Sequence, residues 1–387
     1  MLLSNARLLY TDRIAPHGHL RILDGKIAAI SDRPIEIMPG ETVVDVGGQF
    51  LSPGFIDMHI HGAMRRDTME ADAVAFETIC RHHARGGTTS LTLTTVTAPF
   101  DEIKRVIQAV EAYRLAAVPN KGAQVLGVHV EGPYFSPQKP GAHRPELLRN
   151  PSRENWEPLL AAGNVTQMTI APELPGALEL IEALATAGIR ASGGHSDAWE
   201  EEAAAGFAHG MRQATHTFNC MSSARKRGAY RVAGLLEFAL SEPEMICELI
   251  ADGRHVCPTL MRMLYLAKGP DGIVLITDAT AGAGLDEEQP FNLSGIDCVV
   301  RDGVGLTADG LALAGSTSTM IRGIKNMVQL VGVQLVEAVQ MATLNPARAL
   351  GIEKHKGILE IGVDADLVTF NDQFEVSRTW IAGRAQD

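Results

Sequence analysis

Between Phe55 and Asp278 the chain repeats one pattern eight times: a short, mostly apolar run, then a longer segment with helical spacing. The apolar runs are Phe55–His61, Thr88–Thr95, Gln124–Glu131, Val165–Pro172, Ile189–His195, Gln213–Asn219, Ile246–Asp252 and Ile273–Asp278. Runs this short and apolar fit strands buried on both faces of a parallel sheet. The segments between them read largely as helices. Asp101–Val118 carries Ile103, Val106, Ile107 and Val110 on one stripe, and Gly176–Ala187 carries Ala177, Leu180, Ile181 and Leu184 before Gly188 stops it. Eight strands alternating with helices predict an α/β fold, a (β/α)₈ TIM-like barrel. A doubly wound open sheet is the alternative, but it calls for a Gly-rich phosphate turn after its first strand, and none is present.

The two ends follow a different rhythm. Ala6–Tyr10, Leu20–Leu23 and Thr42–Val46 are short alternating runs split by turns such as Asp24-Gly25. Asp366–Phe370 and Arg378–Ile381 repeat that pattern, with Gly362 and Gly383 at turns. Neither end is long enough to cover both faces of its own strands. Residues 1–52 and 356–387 are therefore expected to build one small β-sandwich domain together, with the barrel, residues 53–355, inserted between them.

Composition acts mainly by exclusion. A formal net charge of −12 argues against nucleic acid as the partner, while Arg225-Lys226-Arg227 leaves room for a local cationic pocket. The five cysteines (Cys80, Cys220, Cys247, Cys257 and Cys298) include no CxxC pair, as expected of reduced thiols in a cytoplasmic protein. The first residues lack a basic segment followed by an apolar core, so no signal peptide is expected. No apolar run approaches the ~20 residues that cross a bilayer, so no membrane partner is expected.

Chemistry collects at the strand ends. In a (β/α)₈ barrel the active site lies at the C-terminal ends of the strands. His59 and His61 end the first, Glu131 the third, His195 the fifth, His216 the sixth and Asp278 the eighth. On a strand, residues two apart share a face, so Asp57, His59 and His61 line one side. Neutral imidazole is a good ligand for Zn²⁺ and Fe²⁺. Glu131 can bridge two cations, one held with His59 and His61 and the other with His195 and His216. One or two divalent ions are expected, Zn²⁺ first, with Fe²⁺ or another divalent metal also compatible. Paired ions acidify a shared water and clamp a carbonyl under attack. Asp278 would take that proton and pass it to the leaving group; its other reading is a helix N-cap. His129 should face the barrel interior as packing or as a partner that orients a ligand. By contrast, His82 and His83 fall in a helical segment, and His17, His19 and His355 in the terminal segments.

Five segments carry a resemblance. Pro53-Gly54-Phe55-Ile56-Asp57, His129-Val130-Glu131-Gly132-Pro133, Gly194-His195, Thr215-His216-Thr217-Phe218-Asn219 and Ile276-Thr277-Asp278-Ala279 resemble the N-acetylglucosamine-6-phosphate deacetylases of the amidohydrolase superfamily. The ending Gly357-Ile358-Leu359 through Gly362-Val363-Asp364-Ala365-Asp366-Leu367-Val368 is similar to the superfamily's tail. The resemblance implies hydrolysis of the acetamido group of N-acetylglucosamine 6-phosphate to glucosamine 6-phosphate and acetate, in amino-sugar catabolism. It assigns Glu131, His195 and His216 to the principal metal site. Members with Gln and Asn in place of His59 and His61 bind one metal, and those with two histidines can bind two. The catalytic Asp matches Asp278. Substrate contacts match Ala142, His143, Asn219, Cys220, Arg227, Asp252, His255, Leu313, Ala314 and Gly315, with Cys220 standing where Ala is common. His143 is expected to polarise the acetyl carbonyl. Arg227 and His255 suit the phosphate, Arg by bidentate recognition. In the family these phosphate contacts are shared across a dimer interface, which implies a homodimer.

Three other readings compete. Cyclic-amide hydrolases resembling dihydroorotase bridge their metals with a carboxylated lysine on the fourth strand, and Val165–Pro172 contains no lysine. A non-catalytic scaffold would show gaps among the ligands or at Asp278, and there are none. An N-acetylgalactosamine-6-phosphate deacetylase would keep the same machinery.

Overall fold

The computed structural model describes residues 1–116 and 122–386. Its central sheet has eight parallel strands hydrogen-bonded in chain order: Phe55–Ile60, Thr88–Thr94, Gln124–Glu131, Val165–Ile170, Arg190–Gly193, Gln213–Ala214, Ile246–Ile250 and Ile273–Ile276. The first and eighth meet. Ile60 bridges Ala279 in parallel, the Asp278 N–H donates to the His59 carbonyl (2.9 Å), and the His61 N–H donates to the Ala279 carbonyl (2.8 Å). The predicted barrel is formed.

Helices cover its outer face, which is why the strands read as apolar throughout. In Phe100–Leu115 the stripe Ile103, Val106, Ile107 and Val110 is wholly buried; such side chains are worth about 1.5–3 kcal/mol each relative to exposure. The predicted end of this helix, Ala117 and Val118, lies outside the described residues. The segment predicted over 176–187 is the helix Ala177–Thr186.

The later strands stop short of their predicted ends. The fifth to eighth finish at Gly193, Ala214, Ile250 and Ile276 rather than at His195, Asn219, Asp252 and Asp278. The residues beyond them leave the extended conformation: φ is 48° at His195, 28° at His216 and 49° at Asp278. Such left-handed backbone is costly for non-glycine residues and persists where surrounding structure enforces it, often at functional sites.

Both termini share one further sheet. Leu2–Leu9, Ile14–Leu23, Lys26–Ser31, Val43–Asp45 and Phe50–Pro53 come from one end, and Leu367–Phe370, Val376–Ile381 and Arg384–Ala385 from the other. Its seam is the antiparallel pairing of Phe50–Pro53 with Leu367–Phe370. The sheet encloses a core of its own that includes Leu3, Leu8, Leu20, Leu51, Leu367 and Trp380. Lys356, nearly buried, pairs with Asp366 and with Asp364 (3.2 Å). The Asp366 carbonyl accepts the N–H of Gly54, where the chain passes from this sheet into the barrel (2.8 Å).

A four-stranded antiparallel sheet absent from the sequence expectations follows the eighth barrel strand: Pro290–Leu293, Ile296–Arg301, Val304–Thr307 and Leu313–Ser316. Its last strand reaches the barrel mouth, where the Ser316 N–H donates to the Asp278 carbonyl (2.8 Å).

Candidate metal centre

Glu131 ends the third strand with its carboxylate buried among four histidines. One oxygen, Oε2, faces His61 Nε2 (3.0 Å) and His59 Nε2 (3.4 Å). The other, Oε1, faces His216 Nε2 (3.1 Å) and His195 Nε2 (3.4 Å). Within each pair the imidazoles also meet head to head, His59 to His61 at 3.3 Å and His195 to His216 at 3.0 Å. Two ring nitrogens at that distance repel through their lone pairs unless a proton or a cation lies between them. His59, His61 and Glu131 form one group of convergent ligand atoms, and Glu131, His195 and His216 a second. Imidazole with carboxylate is a donor set for divalent transition metals, so the residues fit such an ion in either half.

Hydrogen bonds behind the rings assign the tautomers. His195 Nδ1 lies 3.0 Å from the Lys139 carbonyl, which accepts its proton and leaves the Nε2 lone pair facing Glu131. His59 Nδ1 lies 3.2 Å from Glu248 Oε2, with the same consequence. Phe135 stacks on the His195 ring at 4.0 Å between centroids. His129 does not join the ligands; its Nε2 pairs with Thr169 Oγ1 (2.8 Å), and its ring packs edge-on against His59.

Asp278 sits over the first half, its Oδ1 3.3 Å from His61 Nε2 and 3.5 Å from His59 Nε2. It caps no helix, since the next one in the chain begins at Met320. Burial alone would raise the Asp278 pKa, but His59 and His61 outweigh it and hold the carboxyl well below its ordinary range. His143 approaches from the other side, its Nε2 3.8 Å from Glu131 Oε2. The Thr97 N–H donates to His143 Nδ1 (3.2 Å), so the proton sits on Nε2 and points a donor at the site. Burial, followed by the charge of His195, drives the His143 pKa down to about 3, keeping the ring neutral.

The metal-free cluster attracts protons. Burial disfavours charge on His61, but Asp278 and Glu131 outweigh it and raise its pKa to about 9. A raised histidine pKa stabilises the fold fully below the unfolded value of about 6.5, and that stabilisation is lost as pH rises through the folded value. The chelator-stripped protein should therefore lose thermal stability from about pH 6.5 to 9. Melting scans across that range with and without restored metal test this, and a flat metal-free profile would contradict it.

The remaining expected site residues are divided. Gly141, at φ 59°, passes so close that a Cβ there would lie 2.7 Å from Cys220 Sγ and 3.0 Å from His195 Cε1. It carries Ala142 and His143 to the site. Asn219 donates from Nδ2 to the His216 carbonyl (3.2 Å). Asp252 accepts the N–H groups of Arg254 and His255, and its Oδ2 pairs with His255 Nδ1 (2.7 Å). Ala314 is buried, Leu313 is 37% exposed, and Gly315 at φ 68° must be glycine, because a Cβ would lie 2.7 Å from the Asp278 carbonyl. Arg227 is different. It lies on the hairpin Arg225–Arg227/Tyr230–Val232, exposed, paired with Glu201 (2.6 Å) and stacked over Trp199.

The chain is similar to known proteins over most of its length. Residues 50–385 match the amidohydrolase family. An N-acetylgalactosamine-6-phosphate deacetylase of Escherichia coli O157:H7 is 36% identical over 98% of this chain and 97% of its own length. An N-acetylglucosamine-6-phosphate deacetylase of Vibrio furnissii is 35% identical over 88% of this chain and 84% of its own. The crystal structure of N-acetylglucosamine-6-phosphate deacetylase from Pasteurella multocida superposes with a TM-score of 0.92 at 32% identity, covering 100% of this chain and 99% of that one. No helix among the described residues is long and apolar enough to cross a membrane. With its barrel, its histidine-ringed Glu131 and its full-length relatives, the chain belongs to the amidohydrolase family.

Proposed function

We propose that this protein hydrolyses the acetamido group of N-acetylglucosamine 6-phosphate, releasing acetate and glucosamine 6-phosphate. One observation carries the reading: each oxygen of Glu131 faces its own histidine pair, with Asp278 over one pair and the His143 donor beside the carboxylate. Relatives named for this activity span nearly the whole chain and favour it further.

His59, His61, Glu131, His195 and His216 would hold divalent ions, Zn²⁺ first, whose chemistry there would be to polarise the carbonyl and acidify a water. Asp278 takes a proton from the attacking water and returns it to the amide nitrogen as the C–N bond breaks. His143 donates from Nε2 to the carbonyl oxygen as negative charge builds there. The water oxygen leaves in acetate, and the sugar keeps its amine. In this reading the barrel (53–355) carries the chemistry and the terminal segments (1–52 and 356–387) form the small domain. The five unpaired thiols are consistent with a cytoplasmic setting.

Arg227 and His255 are assigned to the phosphate, with Ala142, Asn219, Cys220, Asp252 and Leu313–Gly315 around the sugar. Because Arg227 stands on an exposed hairpin, the assignment includes a homodimer in which that hairpin serves a neighbouring mouth. Arg227→Ala should then raise KM for the phosphorylated sugar by about tenfold to over a hundredfold, the worth of one charge-assisted contact. Unphosphorylated N-acetylglucosamine should respond little. Equal losses on both substrates would make Arg227 structural.

The E. coli relative supports N-acetylgalactosamine 6-phosphate as a second reading. Values of kcat/KM for both phosphosugars decide between them. A preference for the galactosamine substrate would reverse their order, and failure of the metal-loaded protein to hydrolyse either would end both.

A further inference from the structure

We infer that Glu248 is a positioning residue shared by both halves of the metal centre. This rests on the two-metal reading of Glu131. Glu248 lies in the middle of the seventh strand, Ile246–Ile250, and is wholly buried. A carboxylate in that position must find donors. It has three. Oε2 lies 3.2 Å from His59 Nδ1 and accepts the backbone N–H of His216 (3.1 Å), while Oε1 accepts Gln213 Nε2 (2.7 Å). One oxygen thus reaches a ligand from each half.

The two contacts differ in kind. At His59 the carboxylate accepts a hydrogen bond from Nδ1–H, which fixes the ring and turns the Nε2 lone pair to Glu131. A carboxylate behind a metal-bound histidine also raises its basicity as a ligand. At His216 the ring has no such support, since its Nδ1 is buried without a hydrogen-bond partner. What holds His216 is its main chain. Its φ of 28° is unfavourable for a residue with a Cβ, and the N–H to Glu248 Oε2 secures that turn. The Glu248 carbonyl accepts the next N–H, that of Thr217 (2.9 Å), so the turn is pinned on both sides.

Gln213 extends the support. Its Nε2 also donates to Gln167 Oε1 (3.0 Å), and Gln167 Nε2 donates to the Met58 carbonyl (2.8 Å), beside His59. The chain of amides runs across the barrel interior from the sixth strand to the first, and Glu248 is its only charged member.

The test compares parent, Glu248→Gln and Glu248→Ala proteins, each stripped with a chelator and titrated with Zn²⁺ against a chromophoric competitor. Bound metal is counted after dialysis. Glu248→Gln keeps the side chain's size and an oxygen acceptor but loses the charge. It should weaken Zn²⁺ at the His59/His61 position by about tenfold to a hundredfold and weaken the His195/His216 position measurably as well. Unchanged affinities in Glu248→Gln, beside a parent that binds two ions, would overturn the proposal and leave Glu248 as packing. A loss confined to the His59/His61 position would overturn the shared role. A parent that binds no Zn²⁺ would instead overturn the metal reading beneath it. If Glu248→Ala does not fold, the Gln variant still decides.

Discussion

Glu131→Ala should empty both metal positions at once. The carboxylate's two oxygens divide between the histidine pairs, Oε2 toward His59 and His61 and Oε1 toward His195 and His216. Removing it leaves the His195/His216 half with two imidazoles and no anion, and the His59/His61 half with Asp278 alone, so neither keeps the carboxylate that joins them. His59→Ala, by contrast, should empty one position and spare the other. Turnover in the Glu131 variant should fall by more than the roughly 10²–10⁴-fold worth of a single acid–base group, because carbonyl polarisation and water activation are lost together. Metal analysis of the purified variants, with circular dichroism to confirm the fold, checks this. Glu131→Gln, which keeps the shape, serves if the Ala variant is unstable. Full metal occupancy without the carboxylate would remove the bridge from the scheme.

The barrel was legible because its strands are buried on both faces, so their apolar runs stand out from the amphipathic helices between them. The ligands were legible for a related reason. Polar residues at the ends of apolar runs, one run after another, have few structural explanations in common. The limit of the pattern lies at the same place. His195, His216 and Asp278 meet around Glu131 only because the chain leaves β geometry at each of them. Strand periodicity carries no record of that turn, and the predicted strands overran it.

Other features left signals that apolar periodicity does not weigh. Ser294-Gly295 and Asp302-Gly303 sit between alternating apolar runs, an ordinary hairpin signature, and both pairs have positive φ in the four-stranded sheet. Glu248 interrupts the apolar run Ile246-Cys247-Glu248-Leu249-Ile250, and Gln167 and Gln213 interrupt theirs. A buried charge in a strand implies donors nearby, but the sequence alone does not say which strand supplies them. Arg227 follows from the resemblance together with phosphate chemistry, while its pairing with Glu201 and Trp199 depends on how the hairpin packs on a helix start twenty-odd residues earlier.

Asp278→Asn should collapse turnover while leaving metal and substrate bound. The backbone of Asp278 is fixed from both sides, its N–H to the His59 carbonyl and its carbonyl to the Ser316 N–H, so the substitution should not move it. The side chain lies 3.3–3.5 Å from the ring nitrogens of His61 and His59. His59 and His61 keep the carboxyl ionised through the neutral range, as the proposed base must be. An amide nitrogen leaves poorly unless it is protonated, and a group that takes the water's proton and returns it serves both steps. Glu131, the other carboxylate of the cluster, is committed to the two histidine pairs. Asparagine keeps the size and much of the hydrogen bonding but cannot take the proton. The expected loss in kcat is at least about 10²–10⁴-fold, with metal content unchanged and KM little altered. Single-turnover kinetics on the metal-loaded variant, beside metal analysis of the same preparation, measure it. Near-normal turnover with metal intact would show that Asp278 does not carry the proton and would direct the search to another group at the barrel mouth.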